Sequence, residues 1–216
     1  MIFLNLKNYP KSLSDAVIFT EIAKEVSVET GVRIVVAPPV IQLKSSAERY
    51  SDVFAQHVDA LKLGSTTGSL PVDSLKTIHV KGSLINHSEK RIGIEKVKST
   101  VEMMKTAGLE TLVCAESADE SAKMAELSPR FIAVEPPELI GSGISVSNAK
   151  PEIVTNTVEA MANVNPKVIP LCGAGVSNKE DVMNALKLGA KGVLLASAFV
   201  NSKDPKVFLQ DLASVF

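Results

Sequence analysis

The sequence predicts an α/β protein, a (β/α)8 barrel forming one domain over residues 1–216, and three observations carry that prediction. Eight short runs rich in apolar and β-branched residues recur along the chain. The stretches between them carry helical periodicity instead. The eight units take about 27 residues each of the 216, enough for one strand and one helix apiece. Several runs are apolar at nearly every position, as parallel strands covered on both faces are.

The first run, Ile2-Phe-Leu-Asn-Leu6, leads into a segment where Phe19, Ile22, Ala23 and Val26 keep the i, i+3, i+4, i+7 spacing. Gly31 stands where that helix ends, just before the second run at Val32 (VRIVVAP). The third run begins at Val53 (VFAQH), and behind it Gly64-Ser-Thr-Thr-Gly68-Ser-Leu-Pro71 reads as a long loop with little helix after it. The fourth starts at Gly82 (GSLIN) and precedes the stripe Ile94, Val97, Val101 and Met104, closed by Gly108. After the fifth, at Glu110 (ETLVCA), Ser117-Ala-Asp-Glu120 reads as a capping box for a short helix to about Leu127. The sixth run starts at Arg130 (RFIAVE) and the seventh at Lys167 (KVIPLC). A second capping box, Ser177-Asn-Lys-Glu180, then opens a helix with Val182, Ala185 and Leu186 on one face and Gly189 at its end. The eighth run begins at Lys191 (KGVLLAS). Shortened helices in the third and fifth units account for a chain below the roughly 250 residues typical of such barrels. No linker, charge block or low-complexity tract divides the chain.

Composition removes several functional classes. Lys+Arg 23 against Asp+Glu 24 leaves a net charge of −1 and no basic stripe, which excludes a nucleic-acid partner. Two cysteines cannot form a disulfide framework, and Cys114 and Cys172, among apolar neighbours at strand ends, read as buried core thiols. No apolar run approaches the roughly 18 residues that span a bilayer, and the first residues lack a signal-peptide pattern. No membrane partner is therefore expected, and a cytoplasmic protein is. His57 and His79 lack companions at ligand spacing, so no metal site is expected.

Barrels of this class carry their chemistry at the C-terminal ends of the strands. On the first strand Phe3, Asn5 and Lys7 share one parity. If they point inward, Asn5 and Lys7 stand at the mouth; otherwise Lys7 marks a solvated strand end. After the fourth strand comes Asn86-His87-Ser88-Glu89, ahead of a helix pattern. A histidine at a helix N-terminus is held neutral by the dipole and suited to polarising a carbonyl. The same four residues also suit a plain polar turn capped by Ser88 or Asn86. Glu89 suits either a surface pair with Arg91 or a brace on Lys7 across the pocket.

After the sixth strand, Phe131, Ala133 and Glu135 share a parity, and a carboxylate at a strand end suits a general base. The loop beyond it, Pro136-Pro137-Glu138-Leu-Ile-Gly141-Ser-Gly143, is stiff at one end and free at the other, as a lid or an ordinary surface loop would be. Gly173, Ala174 and Gly175 after the seventh strand, and Ala196 and Ser197 after the eighth, leave backbone N–H groups open to a phosphate.

Set side by side, these motifs resemble the triosephosphate isomerase family over most of the chain, from Asn5 to about Val200. Asn5-Leu-Lys7, Asn86-His87-Ser88-Glu89, and Ala133-Val-Glu135-Pro136 with Ile140-Gly-Ser-Gly143 occur in family order, each after the matching strand. The overall likeness is to the compact archaeal branch. The resemblance implies a TIM barrel that interconverts dihydroxyacetone phosphate and glyceraldehyde 3-phosphate in glycolysis and gluconeogenesis. It implies Glu135 as base, His87 as neutral electrophile, Lys7 as the cation offsetting substrate charge, and Asn5 as a donor to substrate oxygens. Ser88 and Glu89 would support them from behind. Phosphate would lie on backbone N–H groups around Gly141, Gly173, Ala174, Gly175, Ala196 and Ser197, with no cofactor and no metal. Two departures stand out: the family's Gly-Gly-Ser is Gly173-Ala-Gly175 here, which removes a serine hydroxyl, and a Gly-Gly pair is Ala196-Ser197. Glu138 takes a position that is tryptophan in most members. Within Gly64-Ser-Thr66-Thr67-Gly68, Thr67 matches the residue that reaches a neighbouring subunit. The resemblance thus implies a homo-oligomer, a dimer at least and a tetramer on the archaeal likeness. Another phosphate-binding barrel, such as a lyase or aldolase, would share the last two loops without needing both His87 and Glu135. A silent binding barrel would have no use for a base at residue 135.

Overall fold

The computed structural model describes residues 1–136 and 146–216. Eight parallel strands form the centre: β1 (Ile2–Asn5), β2 (Ile34–Ala37), β3 (Phe54–Ala55), β4 (Gly82–Ile85), β5 (Glu110–Ala115), β6 (Phe131–Val134), β7 (Ile169–Cys172) and β8 (Val193–Leu195). Their order in the sheet is β2-β1-β8-β7-β6-β5-β4-β3. The two outermost strands meet as well: Val36 bridges Val53 in parallel, and the Val36 N–H donates to the Asp52 carbonyl at 3.0 Å. That contact turns the sheet into a barrel, as the eightfold repeat predicts.

Around it lie α1 (Pro10–Thr30), α2 (Leu43–Ala47), α3 (Val72–Thr77), α4 (Ile94–Thr106), α5 (Ala118–Glu126), α6 (Val146–Ala149), α7 (Pro151–Val164), α8 (Lys179–Lys187), α9 (Ser197–Val200) and α10 (Pro205–Ala213). The third unit is reduced to a two-residue strand and a six-residue helix, and α5 has nine residues, matching the shortened elements expected. Gly31 and Gly108 follow α1 and α4 with φ of 72°, the left-handed conformation that lets a helix stop and turn. No described helix is long and apolar enough to cross a membrane.

The capping boxes form, one of them displaced. Ser117 Oγ accepts the Glu120 N–H at 3.2 Å, and the Glu120 carboxylate reaches back to the Glu116 N–H at 2.7 Å. At α8 the cap is Asn178 rather than Ser177: Asn178 Oδ1 accepts the Asp181 N–H at 3.0 Å. Ser177 is engaged elsewhere, because its N–H and hydroxyl both donate to Asp181 Oδ2. The pattern Asn178-Lys-Glu-Asp181 satisfies the same free amides one residue later.

Strand alternation divides the core into two shells. Ile2 and Leu4 face the helices, whereas Phe3 joins Val35, Phe54, Leu112 and Phe131 inside the barrel. There the Phe3 ring meets Phe54 and Phe131 edge-to-face, at centroid distances of 5.4 and 5.1 Å, each pair worth about 1 kcal/mol beyond its burial. Arg33 closes the base of the barrel. Its guanidinium lies 2.6 Å from carboxylate oxygens of both Asp52 and Glu110 and 5.6 Å from the Phe131 ring centre. With the floor closed by aromatic rings and an ion triad, the open end of the barrel is the one where the strands finish.

Candidate active site

At the end of β1 the inward parity of Phe3 carries Asn5 to the rim, where it is 5% exposed. Lys7 follows with φ of 48°, a left-handed conformation that costs a non-glycine residue about 1 kcal/mol and must be held. It is held from three sides. The Lys7 N–H donates to Asn5 Oδ1 at 3.0 Å, Gln56 Nε2 donates to the Lys7 carbonyl at 3.1 Å, and Nζ lies 2.7 Å from Glu89 Oε1. Gln56 also donates to the Ala37 carbonyl at 3.0 Å, so it ties the ends of β1 and β2 to β3.

At the end of β4, Asn86 takes φ of 62° and is buried. Its Nδ2 donates to the Cys114 carbonyl and its Oδ1 accepts the Ile92 N–H, both at 3.1 Å. Those bonds pin the two feet of the loop that presents His87. The helix expected behind His87 is one 3-10 turn, Ser88–Lys90, with α4 beginning four residues later at Ile94. His87 itself caps the turn: Nδ1 accepts the Glu89 N–H at 3.2 Å, with Ser88 Oγ at 3.5 Å. An amide donor needs a lone pair on the ring, so this contact makes Nδ1 the acceptor and leaves Nε2 as the N–H facing the cavity. A specific hydrogen bond, rather than a helix dipole, thus sets which ring nitrogen faces the cavity. Glu89 serves two neighbours, its backbone orienting His87 and its carboxylate holding Lys7. It makes no pair with Arg91, which bonds Glu116 and Glu120.

Glu135 continues the inward stripe Phe131-Ala133 of β6 and is 4% exposed. Its N–H donates to the Ala115 carbonyl at 2.8 Å, and Oε1 lies 3.7 Å from His87 Nε2. Oε2 is buried without a hydrogen-bond partner among the described residues. Burial pushes the Glu135 carboxyl above its ordinary value, while His87, the Cys114 thiol and Lys7 pull the other way. A carboxylate raised in this manner is a stronger base than an exposed one. Gly173 makes room for it: a Cβ at that position would stand 2.5 Å from Glu135 Cγ.

One cavity joins these groups. Asn5, Lys7, His87, Glu135, Gly173, Ala174, Gly175, Ala196 and Ser197 all line it, contributed by the ends of β1, β4, β6, β7 and β8. Gly141 and the loop read as a lid lie outside the described residues, as does Glu138. Cys114 and Cys172 are free, buried thiols; burial raises both, Cys172 to about 12. Gln56 and Tyr9 are absent from the residues singled out in the sequence. Gln56 carries no motif, but Tyr9 had a signal, being an aromatic residue directly before a helix-opening proline in a loop on the chemical face.

The chain matches the family model described as triosephosphate isomerase over residues 1–214. The chain belongs to the triosephosphate isomerase family. Relatives bearing that name include one from Methanothermus fervidus, 46% identical over 98% of this chain and 96% of its own. One from Methanocaldococcus jannaschii is 44% identical over 98% of both chains. Another from Archaeoglobus fulgidus is 42% identical over 100% of this chain and 97% of its own. As a triosephosphate isomerase family member, the chain is an isomerase of triose phosphates, which agrees with the expectation drawn from Asn5, Lys7, His87 and Glu135.

Proposed function

We propose that this chain interconverts dihydroxyacetone phosphate and glyceraldehyde 3-phosphate with Glu135 as the base. Glu135 takes a proton from the carbon bearing the substrate hydroxyl, and the C–H electron pair forms an enediolate. The hydroxyl proton passes to the former carbonyl oxygen by way of His87 Nε2, and the carboxyl returns its proton to the adjacent carbon. The His87 Nε2–H donates to the oxygen on which charge builds, Lys7 offsets that charge and the phosphate's, and Asn5 bonds the substrate oxygens. The Gly173 N–H donates to the Val134 carbonyl at 3.0 Å, so the phosphate falls to the backbone N–H groups of Gly175, Ala196 and Ser197, with Gly173 and Ala174 shaping the wall beside them. Ser88 and Glu89 work from behind, through His87 and Lys7. The observation that carries this reading is the 3.7 Å approach of a buried carboxylate and an imidazole N–H across one cavity. Converting Glu135 to Gln should lower turnover by about a thousandfold or more, in the range for loss of a general base, with the fold retained. A loss of only a few-fold would remove Glu135 from that role.

We also propose a homo-oligomer, at least a dimer and, on the archaeal likeness, a tetramer. A second cavity shares Asn5, Lys7 and His87 with the first and opens beside the loop that carries Thr67. Val40, Ile41 and Leu63 nearby are 62%, 72% and 60% exposed, an apolar surface suited to a second copy. Substituting Thr67 with Glu should lower the mass measured by light scattering; an unchanged mass would count against this contact. The two unpaired thiols suit a reducing compartment such as the cytoplasm.

A further inference from the structure

Tyr9 lines the same cavity as Lys7, Glu135, Gly175 and Ser197, yet nothing above gives it a role. Its position is fixed by the backbone. Tyr9 caps α1 at φ −63° and ψ 149°, and Pro10 behind it favours that extended conformation. Its carbonyl accepts the Leu13 N–H at 3.1 Å, and its ring packs against the outer core. The side chain is therefore held on the cavity wall. The two tyrosines differ in one respect. The Tyr50 hydroxyl donates to the Ile34 carbonyl at 2.8 Å, whereas the Tyr9 hydroxyl has no partner among the described residues. The Tyr9 hydroxyl is not among the buried atoms that lack a partner, so solvent reaches it, and a ligand entering the cavity that Tyr9 lines can take the place of that solvent as its acceptor.

Topology says which end of the ligand that is. β1 pairs with β8, so the loop leaving β1 stands beside the loop leaving β8. Two further contacts bring the helices behind those loops together: Lys11 Nζ donates to the Ser202 carbonyl at 3.3 Å, and Phe19 meets Phe199 edge-to-face at 5.2 Å. Tyr9 at the start of α1 is thus next to Ala196 and Ser197, and on the far side of the cavity from the β4 and β6 ends that carry His87 and Glu135. The strand 7 loop offers no hydroxyl at Gly175, whose φ of 70° excludes most side chains.

We propose that the Tyr9 hydroxyl donates a hydrogen bond to the phosphate of the triose phosphate, supplying from the β1 loop a side-chain donor that the strand 7 loop lacks at Gly175. The proposal rests on the functional reading above and adds a residue that sets specificity for the phosphorylated substrate. Tyr9→Phe removes one oxygen and nothing else. A lost hydrogen bond to a charged acceptor is worth about tenfold to a hundredfold, so kcat/KM for glyceraldehyde 3-phosphate should fall by that factor. The inhibition constant of inorganic phosphate should rise by a comparable factor. With unphosphorylated glyceraldehyde as substrate the contact does not exist, so the ratio of the two kcat/KM values should fall in the variant. A ratio equal to that of the unsubstituted enzyme overturns the proposal, whether both rates drop together or neither changes. Should the unsubstituted chain fail to isomerise triose phosphates, or Glu135→Gln fail to slow it, the underlying reading falls. If both behave as expected and the ratio holds, only the role of Tyr9 falls.

Discussion

Replacing Gly173 with Ala tests how tightly the barrel places its base. The added Cβ would stand 2.5 Å from Glu135 Cγ and 3.2 Å from both Glu135 Cδ and the Ala133 methyl. Carbon atoms rest about 3.5–4.0 Å apart, so the Glu135 side chain must retreat by about 1 Å. It cannot retreat inward, because Ala133 and Cys114 are fully packed inside the barrel. Among the described residues, the space left to it is the cavity it lines, away from the position opposite His87 Nε2. A displacement of that size costs about a hundredfold in rate when a reacting group is involved, or about 2.7 kcal/mol of transition-state stabilisation. Because the side chain can escape into open space, destabilisation of the fold should stay near about 1 kcal/mol, the low end of overpacking. Coupled steady-state kinetics and a urea midpoint, measured with and without Glu135→Gln, separate the two effects. If the methyl acts through the base, it should cost about a hundredfold in the presence of Glu135 and little once Gln replaces it. Activity within about threefold of the unsubstituted enzyme, or an equal loss in both backgrounds, would refute the steric argument.

Two further perturbations follow from the charged groups. Arg33→Met leaves Asp52 and Glu110 facing each other without a cation. Because the Arg33 side chain is 27% exposed, the cost should be about 2–3 kcal/mol by urea midpoint, below the figure for a fully buried pair, and Asp52→Asn with Glu110→Gln should restore most of it. For Glu135 the folded state holds the proton to higher pH than the unfolded chain does. Its contribution to stability is therefore greatest below the ordinary glutamate range and declines as pH rises through it. Glu135→Gln should accordingly melt above the unsubstituted protein near neutrality, and the two should converge below about pH 4; parallel melting curves at every pH would contradict this.

Much of the barrel is legible from two periods. Period two within each run separates Ile2 and Leu4 from Phe3, and period 3.6 between runs places Phe19, Ala23 and Val26 against the sheet. The inward parity of Phe3 and Phe131 points Asn5 and Glu135 at the mouth, so two of the four central groups follow from local alternation. His87 and Lys7 do not. Their placement depends on left-handed backbone at Asn86 and Lys7, stabilised by Cys114, Ile92 and Gln56, none of them adjacent in sequence. The shift of the α8 cap from Ser177 to Asn178 has a similar origin: both residues suit a cap, and the reach of Asp181 decides between them.

The alternation that builds the core also sets the chemistry of the base. Glu135 is the third inward position of β6, so the geometry that buries Phe131 and Ala133 buries the carboxyl too. Burial raises its proton affinity more than the Cys114 thiol, His87 and Lys7 lower it, and Oε2 has no hydrogen-bond partner among the described residues. Lys7 and His87 are treated in the opposite way. Asn5, Gln56 and Glu89 fix Lys7 before any ligand arrives, and the Glu89 N–H fixes the tautomer of His87. Donors and cations stabilise developing charge best when they need not reorganise, whereas a base works best when its charged form is poorly solvated. Among the described residues the site therefore gives supporting bonds to the groups that receive charge and leaves one oxygen of the group that takes the proton without one. A donor introduced beside Glu135 Oε2 would stabilise the resting carboxylate and weaken the base, although that buried oxygen would then be satisfied.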